Sequence, residues 1–422
     1  MSNKKSSKVG GLNWAKLGTV AAEPATRACY DPTGVAITIE AKDEKASGGE
    51  GIVYTVPGKP GFLVKVYKRE TLENPSKARA IRERIEAMCE NRACQAMKGL
   101  AWPLMPVYGD AARMNLIGFA MRACKGVPFS SLFNGPASVK EKFPAWNRRQ
   151  LAQTAVNFVK RVRLLAEANV LVNDFNPANF WVDEQCNVSF IDVDSFQIAD
   201  RHGRPLVTHT YFASHTAPEL LASPSALNRP RTVEQVAFSA ALVAFQLLMC
   251  GYHPYSYQGV PDGGGCGSPD ENLLAGRCPL GIGADCRLPE GWYKLWSQLT
   301  GKLKNAFITT FRNGHSAPAM RTPLGDLEFA LNGLLITMAK DADPDRVSLN
   351  PCKVKSHEWI QTPAAPRSFM PRPAYPSRGF MRTPGFARPP YMPPQQYNPQ
   401  GYGRFPMPRM GGTPSNFNPS LY

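Results

Sequence analysis

Acidic residues and paired cysteines are what this 422-residue chain is short of. Asp and Glu number 33 against 49 Lys and Arg, which gives a formal net charge of +16. The ten cysteines fall at irregular spacings without a Cys-x-x-Cys pair, so neither a zinc site nor a disulfide framework is indicated. Reduced thiols in a cytoplasmic protein are the simplest expectation. The basic segment 1–30 begins with Lys4, Lys5 and Lys8 and holds no sustained apolar run, so no secretory signal is expected. A transmembrane segment is not expected either. Residues 236–250 are nearly all apolar, yet the stretch has fifteen residues where a bilayer needs about 20, and Ser239 and Gln246 interrupt it. A buried central helix accounts for it better.

The chain has enough apolar residues, 43%, to bury a sizeable core, and its length suits two to three units of about 150 residues. Composition breaks near residue 340. Residues 361–422 carry seven Arg and no Lys, Asp or Glu, among repeated Pro with scattered Phe, Tyr and Met. Such a segment buries too little apolar surface to offset its ordering entropy, so 341–422 is expected to be a disordered tail. Its Arg, Tyr and Phe suit contact with single-stranded nucleic acid. The string Ala387-Arg388-Pro389-Pro390-Tyr391-Met392-Pro393-Pro394 suits a polyproline-binding domain. Recruitment of a substrate, an acidic membrane surface, or no dedicated partner at all are the other readings.

Chemistry concentrates in Asp174-Phe175-Asn176-Pro177-Ala178-Asn179 and in Asp192, thirteen residues after Asn179 within Phe190-Ile191-Asp192-Val193-Asp194-Ser195-Phe196. An Asp, an Asn five later and an Asp eighteen later fit the needs of phosphoryl transfer. That reaction asks the protein to align a hydroxyl, hold Mg²⁺ and neutralise charge on phosphate oxygens. Asp174 would accept or orient the hydroxyl proton, while Asn179 and Asp192 would offer hard oxygen ligands to Mg²⁺. Apolar runs at 170–172, 180–182 and 188–191 predict short buried strands around them. The plain alternative is an ordinary Asx turn at Asp174 and another loop at Asp192.

Upstream, Ala46-Ser47-Gly48-Gly49-Glu50-Gly51-Ile52-Val53-Tyr54 is a glycine-rich turn leading into an apolar stretch, followed by Phe62-Leu63-Val64-Lys65-Val66-Tyr67. Gly48, Gly49 and Gly51 would let backbone amides approach ATP phosphates, with Val53 beside them and Lys65 reaching from the next strand. The alternatives are a plain Gly-Gly hairpin and a Lys that snorkels to solvent. Ala78, Ile81, Ile85 and Met88 recur at helical spacing after Asn74-Pro75, and Glu83 on that helix is the expected partner of Lys65, with Glu86 as competitor. Downstream, Glu219 of Ala217-Pro218-Glu219 is expected to pair with Arg321, about a hundred residues on. Residues 147–168 predict a helix with a basic, solvated side. Residues 256–290 read as a Gly- and Pro-rich loop, and 296–311 and 324–338 as closing helices.

With these motifs the chain resembles a bacterial branch of the eukaryotic-type Ser/Thr protein kinases. That branch is encoded beside von Willebrand A-domain proteins and PP2C-like phosphatases in tellurite-resistance and stress loci. The resemblance rests on Gly48-Gly49-Glu50-Gly51, Ala101-Trp102-Pro103-Leu104, Gly118-Phe119-Ala120-Met121 and Asn173 through Asn179. It continues through Ile191-Asp192-Val193-Asp194-Ser195-Phe196-Gln197, Pro218-Glu219-Leu220 and Gly251-Tyr252-His253-Pro254-Tyr255. It covers roughly 40–335 and implies ATP, Mg²⁺, transfer to Ser or Thr of a protein substrate, and partners of the two neighbouring classes. The implied fold is α+β and two-lobed, with a β-rich N-lobe over 31–122, a helical C-lobe over 123–340, and the tail beyond.

Several positions depart from the resembled pattern. Val172-Asn173-Asp174 stands where most protein kinases have His-Arg-Asp, so control through an Arg that receives an activation-segment phosphate is not expected. Asn176 replaces the Lys that steadies the transferred phosphate, Asp194 the Gly of Asp-Phe-Gly, Val236 an Asp that anchors the catalytic loop, and Ala46 the first loop glycine. A nucleotide-binding pseudokinase and a small-molecule phosphotransferase are the alternatives these departures keep open.

Overall fold

Alternation of side chains along an extended chain decides which residues share a face. In β5 (Phe62–Tyr67), Val64 and Val66 pack into a small core with Cys29, Ile39, Tyr54, Val107, Ile117 and Ala120, while Leu63, Lys65 and Tyr67 face the other way. β5 lies inside a seven-stranded antiparallel sheet of order β2-β1-β6-β7-β5-β4-β3. Its partners are β1 (Thr26–Tyr30), β2 (Ala36–Glu40), β3 (Glu44–Ser47), β4 (Gly51–Thr55), β6 (Met105–Tyr108) and β7 (Leu116–Arg122). Lys65 pairs across with Val53 on β4 and Phe119 on β7. The computed structural model describes residues 26–256, 267–281, 288, 290–340, 343–350 and 353.

Gly118 makes the β5–β7 contact possible. A Cβ there would lie 2.0 Å from the Lys65 carbonyl oxygen, so any side chain must push β5 away. Gly118→Ala is therefore expected to destabilise the protein by about 1–3 kcal/mol, as overpacking does. An unchanged urea midpoint would contradict this.

Helix α1 (Pro75–Glu90) starts where Asn74 caps the amides of Ser76 and Lys77 at 3.0 and 3.1 Å, with Pro75 at the first helical position. It buries Ile85 and Met88, and the Trp102 indole donates to the Met88 carbonyl at 2.8 Å. Helix α2 (Arg148–Glu167) begins with an Asn147–Gln150 capping box, and helix α3 (Val233–Leu248) with a Thr232–Gln235 box. Every α3 residue from Val236 to Leu248 is buried, which explains its all-round apolar sequence. No helix among the described residues is long and apolar enough to cross a membrane. Helices α4 (Gly301–Ile308) and α5 (Leu324–Lys340) follow, with α5 packed on α2.

Three boundaries differ from the sequence expectation. The sheet begins at Thr26 rather than after residue 30, because Cys29 is fully buried in its core. Val347 and Leu349 extend the large core past residue 340, and the Arg148 amide donates to the Val347 carbonyl at 2.9 Å. The stretch read as a loop contains a helix at Pro269–Leu274 with a Ser268–Glu271 capping box, and it buries Leu273, Cys278 and Leu280. Residues 1–25 and the tail with its partner motifs lie outside the described residues.

Two buried histidines sit where the segments before and after α3 meet. His215 Nε2 bonds to the Gln246 amide oxygen, and His253 Nε2 donates to the Ser214 carbonyl at 2.8 Å. Burial pushes His215 down to about 3, with the neighbouring His253 adding to it, and burial pushes His253 down to about 4. Their folded values lie below the unfolded value near 6.5, so the unfolded chain binds more protons at mildly acid pH. Stability should be complete above 6.5 and fall as pH drops from there towards the folded values. At about pH 5.5 each His should cost about 1.4 kcal/mol relative to pH 8, together about 3 kcal/mol. Denaturation of His215→Gln against wild type at both pH values checks this, and equal pH slopes would contradict it.

Candidate active site

Two short hairpin strands explain the spacing between Asn179 and Asp192. β8 (Phe180–Val182) and β9 (Val188–Phe190) are antiparallel with Phe180 opposite Phe190, so the residues just outside them are neighbours. Accordingly the Ile191 amide donates to the Asn179 carbonyl at 2.9 Å. Phe180, Phe190, Phe158 and Phe175 pack beneath the hairpin and fix its position.

Asp174 is buried and held from two sides. Its Oδ1 accepts from the Asn176 amide and its Oδ2 from the Asn179 side-chain amide, both at 3.1 Å. Asn176 Oδ1 in turn accepts from the Ala178 amide at 3.0 Å. The expected Asx turns are thus present, at Asp174 and at Asn176. Burial, with the Asp192 charge adding to it, holds the Asp174 carboxyl above the usual carboxylate range, while the Asn176 and Asn179 bonds oppose the shift. The Asn179 amide group gives its N–H to Asp174, which leaves its Oδ1 as an available oxygen ligand.

Asp192 has left-handed backbone, φ 54°, and starts a tight turn over Val193–Ser195. The Ser195 hydroxyl closes that turn by donating to the Asp192 carbonyl at 2.7 Å. Lys65 Nζ lies 2.7 Å from Asp192 Oδ1 and 2.9 Å from both oxygens of Asp194. The Tyr67 hydroxyl donates to Asp194 Oδ2 at 2.7 Å. Burial alone would lower the Lys65 value; Asp194 and then Asp192 outweigh it and hold the ammonium above its ordinary range. Asp194 stays ionised despite burial because of Lys65 and Tyr67.

Glu83 is a correction. It does not meet Lys65; it forms a surface ion pair with Arg204 from the hairpin of β10 (Ile198–Ala199) and β11 (Pro205–Leu206). Arg84 is the α1 residue near Tyr67 and Asp194, and its Nη2 donates to the Val207 carbonyl at 2.7 Å. A turn of about 100° per residue explains the exchange, because it sets Arg84 about 60° and Glu83 about 160° from Ile81 on the apolar side. That angle was legible in the sequence.

A cavity of about 480 Å³ joins the glycine turn, Lys65, Asn179, Asp192 and Asp194. Gly48, Gly49, Gly51 and Val53 line one side together with Lys65, and Asn179, Trp181 and Asp192 line another. Leu63, Ala101, Phe119, Met121 and Ile191 give it an apolar wall. The Gly48 amide donates to the Gly51 carbonyl at 2.9 Å. A Cβ on Gly51 would lie 2.8 Å from the Val66 carbonyl, whereas one on Gly49 would meet nothing within 4 Å, so the tip of the turn leaves room for a ligand.

Away from the cavity, Arg321 donates to both oxygens of Glu219, at 2.8 and 2.6 Å. Its Nε donates to the Gly314 carbonyl at 2.8 Å, and its guanidinium lies 4.9 Å from the centre of the Phe238 ring. Sequence reasoning missed Tyr67, Asp194, Trp181 and Gln197. Gln197 exchanges backbone bonds with Leu171 at 2.8 Å, and its side chain accepts from the Arg231 amide at 2.6 Å and donates to the Arg231 carbonyl at 3.3 Å. It ties the Asp174 loop to the start of α3, where Val236 offers no carboxylate.

No protein-family model matches the chain. It is 30% identical over 234 residues to "Protein kinase YegI" of Escherichia coli O157:H7, and 30% identical over 220 residues to the protein of that name from Escherichia coli strain K12. The chain is similar to bacterial protein kinases. The matches take in 55% and 52% of this chain and 34% and 32% of the relatives, so the chain spans about a third of the length of the curated relatives it matches. This distant likeness supports a bacterial protein-kinase-like family.

Proposed function

We propose that the chain is an ATP- and Mg²⁺-dependent protein kinase acting on Ser or Thr hydroxyls. The observation that carries the reading is the convergence at one cavity of a glycine-rich turn, a buried Lys65 bonded to Asp192, and an Asn179 bonded to Asp174. The relatives' names agree with it. The seven-stranded sheet would be the N-lobe and the helices the C-lobe, with the base of ATP against the apolar wall and its phosphates under the glycine turn.

Lys65 would hold the α- and β-phosphates, and Asp174 would accept or orient the proton of the attacking hydroxyl. A carboxyl held above the usual range is a stronger proton acceptor than a free one, which suits this role. Among the described residues no three His, Cys, Asp or Glu side chains cluster as a metal cage. Asp192 and the free amide oxygen of Asn179 fit Mg²⁺, which takes one or two protein oxygens and completes its shell with phosphates and water. Mg²⁺ bound there would neutralise charge on the β- and γ-phosphate oxygens. The bidentate Glu219–Arg321 pair favours a protein substrate over a small molecule, because it braces the segment where a peptide would dock.

Phosphoamino-acid analysis after incubation with γ-labelled ATP, Mg²⁺ and a protein acceptor tests the reading. Label on Ser or Thr is expected, and label on neither, with a small acceptor labelled instead, would refute it. The Asn176 side chain, committed to capping Ala178 where a Lys is usual, favours a pseudokinase as second reading. That reading expects ATP to stabilise the protein without any transfer.

A further inference from the structure

The α1 residue that feels the charges of Tyr67 and Asp194 is a cation, Arg84, and the carboxylate expected from that helix is engaged on the surface by Arg204. A Lys that holds phosphates needs a fixed anion behind it, or its flexible stem wanders. We propose that Asp194 is the positioning residue for Lys65, in the place where Glu83 was expected; this rests on the nucleotide reading above.

The two carboxylates that touch Lys65 are not equivalent. The Asp194 side chain is 5% exposed, puts both oxygens 2.9 Å from Nζ, and accepts the Tyr67 hydroxyl at 2.7 Å. Both residues line the cavity, but the Asp192 side chain is 43% exposed and makes one contact with Nζ, at 2.7 Å. An ammonium has three N–H donors. Asp192 can exchange its contact for an incoming group, whereas Asp194 has no solvent to replace Lys65 or Tyr67. The N–H released by Asp192 then serves a phosphate oxygen while Asp194 keeps Lys65 in place. Asp194 also belongs to the turn that begins at Asp192, closed by the Ser195 hydroxyl at 2.7 Å, so the anchor and the neighbouring ligand are set by one short element. This gives a reason for Asp where a Gly is usual: the side chain does what the helix residue does not.

Equilibrium binding of adenosine, and separately of ATP with Mg²⁺, to the full chain and to Asp194→Asn, Asp194→Glu and Glu83→Gln tests this. In Asp194→Asn the ATP affinity should fall about tenfold or more while adenosine affinity stays within about twofold, since only the phosphate end is disturbed. Asp194→Glu should regain part of the loss, and Glu83→Gln should match wild type for both ligands. Unchanged ATP affinity in Asp194→Asn, a parallel loss of adenosine affinity, or an equal loss in Glu83→Gln would overturn the assignment. A wild-type chain that binds ATP but transfers nothing would overturn the kinase reading alone, and the ATP-over-adenosine difference would still decide Asp194.

Discussion

Asp174→Ala should lower phosphoryl transfer by about 10²–10⁴-fold, the range a general base contributes, while ATP affinity stays close to wild type. The separation follows from geometry. Asp174 touches Asn176 and Asn179 and does not line the cavity, whereas Lys65, the glycine turn and Asp192 do. Removing it deprives the hydroxyl of its acceptor and leaves the nucleotide contacts in place. Asp174→Asn is a useful companion, because it keeps the volume and an oxygen for the Asn176 amide yet cannot take a proton. Rates of label incorporation under saturating ATP, with affinity measured in parallel, decide the matter. If both variants transfer at the wild-type rate, Asp174 is a turn residue. If affinity falls as far as rate, its role is to shape the site.

Glu219→Ala should cost about 3–5 kcal/mol of stability, the range for removing one partner of a buried ion pair. Arg321 has a fully buried side chain, whereas that of Glu219 is 30% exposed. Without the carboxylate the guanidinium keeps, among the described residues, the Gly314 and Glu234 carbonyls at 2.8 and 3.2 Å, the face of Phe238 and the charge of the Glu234 carboxylate. Carbonyl dipoles do not neutralise a buried cation. Removing both charges with Glu219→Leu and Arg321→Met should recover much of the loss, because no unpaired charge remains. Urea unfolding of the two single variants and the double variant measures each term. A loss of less than about 1 kcal/mol in Glu219→Ala would class the pair with solvent-screened surface bridges.

Where local chemistry sets spacing, the sequence was readable. The twelve residues between Asn179 and Asp192 form a hairpin of two apolar strands, and such a hairpin brings its ends together whatever surrounds it. The all-apolar stretch of α3 was readable for the same reason, since a helix without a polar face has to be enclosed. Glu83 failed because a distance of eighteen residues from Lys65 says nothing about which side of α1 a residue occupies. Asp194 was missed because a carboxylate two residues after a candidate metal ligand reads as a loop residue until Lys65 and Tyr67 are seen beside it. The helix at Pro269–Leu274 was hidden by the Gly- and Pro-rich residues preceding it, although Ser268 and Glu271 carried its capping signal. Gln197 lay within the most distinctive string of the chain, yet its bonds to Leu171 and Arg231 depend on contacts that no local pattern encodes.

The measurement that bears most directly on the central claim is incubation of the purified chain with γ-labelled ATP and Mg²⁺ beside Asp192→Ala. Asp192 is decisive because, of the two described carboxylates that touch Lys65 and line the cavity, it is the exposed one, able to meet the proposed metal. The account predicts label transferred by the wild-type chain and none above background with Asp192→Ala. Equal label in the two samples, or none in the wild type under conditions where ATP is bound, would contradict it.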